Sequence, residues 1–204
     1  MTTTDRSIGI SATATNTRES LRTWALVSLV LYLISGVAFA GFSSFGGVWF
    51  TISDAVGLLL GIALMVVVIQ FDNLFRSEFG SYSRTSRWIG VFAMGLGIAG
   101  SIVLLTSQVS HEFVPAEGGL GMQFVGWGLL GIWFLMLASM GSRSGLFSQR
   151  WTWAARLTGG GSVVAMALTL PLGPDSPVVS IGFALTFVAI IFWVVWTRKE
   201  LRVP

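Results

Sequence analysis

Apolar residues in this chain come in long unbroken runs. They show neither the alternation of a half-buried strand nor the single stripe of a surface helix. Six runs follow one another: Thr23–Phe42, Asp54–Phe71, Trp88–Ser107, Gly121–Met140, Trp153–Leu172 and Val178–Thr197. Each has about 18–20 residues, enough at ~1.5 Å per residue to cross a hydrocarbon layer of ~30 Å. The pattern predicts an all-α polytopic membrane protein, a six-transmembrane-helix bundle with short connections. A membrane β-barrel would need alternating segments of ~10 residues instead.

The polar positions between the runs complete the expected layout. Residues 1–22 are rich in Thr and Ser, lack a hydrophobic period, and read as a flexible cytoplasmic tail. Residues 23–197 form the transmembrane domain, and 198–204 a short basic tail. Arg18 and Arg22 precede the first run, and Ala38-Phe39-Ala40 resembles a signal-peptidase site. The run is long enough to span and continues past that site, so retention is the expectation and cleavage the alternative.

Charge then orients the runs. Arg76, Arg84 and Arg87 lie between the second and third, and Arg143 and Arg150 between the fourth and fifth. With Arg156 at a boundary, six crossings put all 12 Lys and Arg on one side. The opposite connections hold Asp54, Glu112, Glu117 and Asp175, without Lys or Arg. Positive charge is retained in the cytoplasm, so both termini are expected there, in the plasma membrane. The net charge of +3 is a topology signal on this reading, not a nucleic-acid footprint. Eleven arginines to one lysine suggest a GC-rich, prokaryotic genome.

Composition narrows the chemistry. The chain is 53% hydrophobic, 10% charged and free of cysteine, with mean hydropathy +0.79. Disulfides, thiolate metal sites and Cys nucleophiles are thereby excluded. The middle of each run lacks Asp, Glu, Lys, Arg and His, the usual marks of coupled transport. Gly95-Leu96-Gly97-Ile98-Ala99-Gly100 matches a dinucleotide fingerprint but sits mid-run, where close helix packing is the expected role. Gly57, Gly61 and Gly159-Gly160-Gly161 read the same way. His111-Glu112 starts like a zincin site, but Pro115 stands where the second histidine belongs. With Glu117, and with Asp54 or Asp175, these residues form at most a weak cation or proton-sensing patch; a solvated loop is the plainer reading. Ser28, Ser35, Ser101, Thr106, Ser139, Ser162, Thr169 and Thr186 lack a basic partner and are expected to bond backbone carbonyls or neighbouring helices.

Tryptophan placement adds a further expectation. Trp24, Trp49, Trp88, Trp151, Trp153, Trp193 and Trp196 lie near run ends, as interfacial anchors do. Trp127 and Trp133 lie deeper, as packed or lipid-facing rings or as a platform for a flat apolar ligand.

Leu59-Leu60-Gly61-Ile62 and Leu129-Leu130-Gly131-Ile132 are each followed by a methionine, a basic connection, Arg-Trp and a Gly-rich run. This is either a parallel repeat of helical hairpins or the convergence of membrane helices on Leu, Gly and Ile. Arg143-Ser144-Gly145 and Arg150-Trp151 resemble the pattern of a group of small prokaryotic integral membrane proteins of unknown function. The likeness covers the second to fifth runs; Gln149-Arg150 replaces a proline often found there. It implies a polytopic fold and no particular activity.

No catalytic, cofactor-binding or metal-ligating residues are assigned. The leading expectation is a non-enzymatic component that binds a lipid, an apolar ligand or a membrane-protein partner, with the bilayer and a second copy among the partners considered. The alternatives are a small-molecule facilitator or transporter and, behind it, an interfacial lipid-modifying enzyme using His111 and Glu112.

Overall fold

The computed structural model describes the backbone of residues 3–45, 47–110, 116–173 and 176–201, and side chains within 15–38, 48–49, 51–108, 118–169, 171–173 and 176–201. The described residues form five helices: α1 Thr3–Phe45, α2 Gly47–Ser110, α3 Ala116–Ser144, α4 Gln149–Leu172 and α5 Pro177–Glu200. They contain no strand.

Five replaces the six helices read from the sequence. The basic stretch between the second and third runs is helical almost throughout, and its reversal is made at one residue. Gly80 has φ 45° and ψ −109°, a conformation that a Cβ disfavours. The two arms of α2 lie side by side and antiparallel. Asp54 meets Gln108, a Cβ at Gly61 would meet Ile98, one at Gly90 would meet Val68, and Asp72 meets Ser83. α2 is therefore a helical hairpin with an apolar run in each arm. α1 also begins at Thr3, inside the stretch that carries no hydrophobic period.

Among the described residues, four helical stretches are long and apolar enough to cross a membrane: Thr15–Ala38, Thr51–Gln108, Gly118–Ser144 and Pro177–Glu200. α4 is not among them, because Arg150, Arg156, its threonines and three consecutive glycines dilute its apolar content.

α1 packs on α2, α2 on α3, α3 on α4 and α4 on α5, and α5 returns to α1. Between membrane helices lipid competes on equal terms for apolar surface, so close packing and hydrogen bonds supply the cohesion. Glycines permit the closest crossings. A Cβ on Gly100 would lie 2.6 Å from the Gly119 carbonyl oxygen, and one on Gly131 would lie 2.8 Å from that of Gly159. Gly161 faces Thr186 of α5, whereas Gly95, Gly97 and Gly160 face open space. The packing role expected of the Gly95–Gly100 stretch thus rests on Gly100, and on the backbone at Gly97, where a Cβ on Gly126 of α3 would lie 3.2 Å from the Gly97 nitrogen.

At the end carrying the basic residues, an aromatic cluster joins four elements. Phe71 and Phe75 of α2, Trp133 and Phe134 of α3, Trp151 of α4 and Trp193 of α5 are all buried, with Phe147 from the α3–α4 turn among them. Phe147 stacks on Trp151 at 4.0 Å between ring centroids, and Phe134 meets Trp193 edge-on at 4.9 Å. Each such pair contributes about 0.5–1.5 kcal/mol beyond its buried area. Trp151 and Trp193 are thus core residues, not the interfacial anchors expected of them; Trp88 and Trp153 are exposed. The Trp151 indole also donates to Thr197 Oγ1 at 2.7 Å, and Thr197 donates to the Trp193 carbonyl.

Candidate functional site

The far end of the bundle carries a buried carboxylate. Asp54, in the first arm of α2, accepts hydrogen bonds from Gln108 Nε2 at 3.1 Å and from Gln123 Nε2 at 3.3 Å. Gln123 also donates to Ser101 Oγ at 3.1 Å, and Thr51 Oγ1 donates to Gln108 Oε1. Both arms of α2 and the start of α3 are pinned by this network. Both side-chain amides donate to the carboxylate; Gln108 also accepts from the Thr51 hydroxyl, and Gln123 also donates to that of Ser101, so these bonds are made without a cation.

Of the residues that the sequence places beside Asp54 in an acidic patch, His111, Glu112, Asp175 and the side chain of Glu117 lie outside the described residues. Among the described residues, no group of three or more His, Asp or Glu side chains is placed to hold a metal ion. Nothing in the sequence pattern joins Gln108 and Gln123 to Asp54, since they lie 54 and 69 residues from it. The signal for their role was the hairpin itself: a turn at Gly80 brings residue 108 back level with residue 54.

At the opposite end, just past the apolar run of the first arm, Asp72 closes the α2 turn. It accepts from Ser83 Oγ at 2.8 Å, pairs with Arg76 one helical turn on, and meets Arg87 at 3.4 Å. Burial alone would push the carboxyl up, but the Arg76 and Ser83 hydrogen bonds, the Arg76 charge and the Arg87 hydrogen bond outweigh it and hold Asp72 below its ordinary value.

Among the described residues, buried side chains such as Leu130, Trp133, Phe134 and Trp193 fill the middle of the bundle. A cavity of about 10 Å³ remains among Ser28, Tyr32, Leu60, Trp127, Leu130 and Trp193. That is space for one water at most, since a single water needs about 10–15 Å³ on this measure. Ser28 Oγ and Trp193 Nε1 are buried there without a protein partner. Trp133 is buried in the core, and Trp127 packs against Tyr32 at 6.0 Å between centroids, so the two rings do not frame an open platform.

The hydroxyls divide as the chain requires. Thr106, Ser162, Thr169 and Thr186 donate to the carbonyl one turn back, Ser101 serves Gln123, and Ser35 meets Ser53 at 3.4 Å.

A larger opening lies at the basic end, between α1 and α5. It has a volume of about 370 Å³ and is lined by Arg22, Leu29, Val195, Arg198 and Lys199. Sequence reasoning counted these cations only as topology signals. Their convergence was hidden because they come from distant parts of the chain.

The chain matches no protein-family profile, no curated protein and no solved structure. What its geometry can do must be read from the geometry.

Proposed function

We propose that this is a multi-pass protein of the cell membrane, crossing it six times with both termini in the cytoplasm, and that it binds and does not catalyse. Its occupants would be a lipid, an apolar molecule or another membrane protein, held against its outer faces. Two features support the six crossings. The arms of α2 each carry an apolar run, and α4, with 24 residues, is about 36 Å long despite its lower apolar content. The positive-inside rule then favours a cytoplasmic position for the end bearing Arg76, Arg87, Arg150 and Lys199. On the likeness at Arg143–Trp151, we group the chain with small prokaryotic membrane proteins.

The observation that carries the binding reading is the contrast between centre and perimeter. A facilitator needs a continuous polar or aromatic path to mid-membrane, and a central cavity of about 10 Å³ favours binding over passage. Outside, Val37, Leu59, Phe92, Leu157, Leu185 and Phe192 stand exposed, as lipid-facing or partner-facing side chains do. Native mass spectrometry of the full chain from mild detergent is the test. The expected result is lipid or a second protein retained on the chain. A chain that emerges bare, or that turns over a substrate in a way abolished by one point mutation, would overturn the reading.

A further inference from the structure

We infer that the groove between α1 and α5 is a binding site for the headgroup phosphate of an anionic phospholipid. The inference rests on the binding reading above and names the ligand class. Arg22 of α1 and Arg198 and Lys199 of α5 line a space of about 370 Å³. The Nε atoms of Arg22 and Arg198 are buried and have no hydrogen-bond partner, and Arg18 Nε, one turn earlier on α1, is in the same condition.

Buried guanidinium nitrogens are costly to leave unpaired. The nearby carboxylates do not answer them. Glu200 is taken by the backbone N–H and hydroxyl of Ser148, and Glu19 is exposed. Among the described residues, the ion pairs are those of Asp72 with Arg76 and Arg87. The groove therefore concentrates positive charge without a counter-ion among the described residues. Guanidinium groups suit a phosphate because their planar forks match its oxygens.

The rest of the lining says which phosphate. Leu29 and Val195 form the apolar part of the groove. From Val195 a stripe of exposed residues, Phe192, Val188 and Leu185, runs along α5 at helical spacing. A free phosphate has no use for that stripe; a diacyl lipid lays a chain along it while its phosphate meets the cations. Trp196 borders the same end, with Lys199 Nζ 4.9 Å and the Arg150 guanidinium 5.6 Å from its ring centroid. Lys199 thus lines the groove with its ammonium set over the Trp196 ring.

The test is native mass spectrometry of the full chain, titrated in mild detergent with phosphatidylglycerol and phosphatidylcholine of identical acyl chains. The wild type is expected to retain phosphatidylglycerol preferentially. Arg22→Gln with Arg198→Gln should cut that preference by about fivefold per arginine and leave phosphatidylcholine binding unchanged. Arg22→Lys with Arg198→Lys should keep most of it. Arg84→Gln, which removes a cation from the α2 turn, should leave it intact and controls for net charge. Equal retention of both lipids by the wild type, or an unchanged preference in the double Gln variant, overturns the inference while the broader binding reading stands. Displacement of the lipid by millimolar inorganic phosphate identifies a free-anion site and overturns the lipid assignment. A wild-type chain that retains neither lipid nor partner overturns the broader reading as well.

Discussion

The two arms of α2 and the α3–α4 pair start from the same tetrapeptide, at 59–62 and 129–132, and place it alike. The second leucine and the glycine are buried and the isoleucine is exposed. Each glycine faces the returning helix: Gly61 meets Ile98 of the second arm, and Gly131 meets Gly159 of α4. The resemblance ends at the turns. The α2 hairpin is closed by an ionic cluster around Asp72, and its Arg-Trp tryptophan, Trp88, is 61% exposed. The α3–α4 hairpin is closed by Ser148 and Phe147, and its tryptophan, Trp151, is 0% exposed at the centre of the aromatic cluster. Small residues thus decide which helix faces meet, while the turn decides whether a hairpin's end stays at the surface or joins the core.

The difference is broken most sharply at the two tryptophans. Trp151→Ala removes a ring stacked on Phe147 and a hydrogen bond to Thr197, and should cost about 3–5 kcal/mol. Trp88→Ala, at an exposed site, should stay within about 0.5 kcal/mol. Unfolding titrations in mixed detergent measure both. Equal costs would show that the two hairpins share one core after all.

Next comes the ionic closure. Asp72→Asn leaves Arg76 and Arg87 without their carboxylate; both arginines are partly exposed, so the loss should be about 1–2 kcal/mol. The sign with pH follows from the lowered Asp72 value. A carboxyl held lower in the folded protein than in the unfolded chain stabilises above its ordinary range, and that stability is lost as pH falls through the lowered value. The thermal stability of wild type should exceed that of Asp72→Asn at pH 7, and the gap should close in acid. A gap that is constant with pH would contradict the ionic account.

The smallest effect separates the two glycines. Gly131→Ala drives a methyl toward the Gly159 carbonyl oxygen and should cost about 1 kcal/mol or more. Gly61→Ala brings its methyl to 2.7 Å from Ile98 Cγ1, a side-chain atom close to a stiff β-branch, so it should also destabilise, but by less than Gly131→Ala because alanine's better helix propensity offsets part of the cost. Comparing the two variants by the same unfolding titration shows whether rigid backbone or branched side chain sets the limit.

The apolar runs made the helical class legible, because a run of that length needs no partner to be recognised. The reversal inside α2 was not, since Gly80 sits in a polar helical stretch where a loop would carry the same residues. Nor could the sequence distinguish Trp151 from Trp88. Both follow an arginine at the start of an apolar run, and only the neighbouring turn decides which ring is buried. The Asp54 network was hidden by distance along the chain, with Gln123 69 residues away. The groove was hidden further still, because Arg22 and Arg198 lie near opposite ends of the sequence.

The central claim is that the chain reverses at Gly80 on the cytoplasmic side and that the Asp54 end faces outward. The chain contains no cysteine, so single cysteines report cleanly on each end. Ser81→Cys, at the exposed α2 turn, and Gly118→Cys, at the exposed start of α3, should be labelled in intact cells with a membrane-impermeant maleimide. The predicted result is labelling of Gly118→Cys from outside, and of Ser81→Cys only after permeabilisation. Labelling of Ser81→Cys in intact cells, or of both positions from the same side, would contradict it.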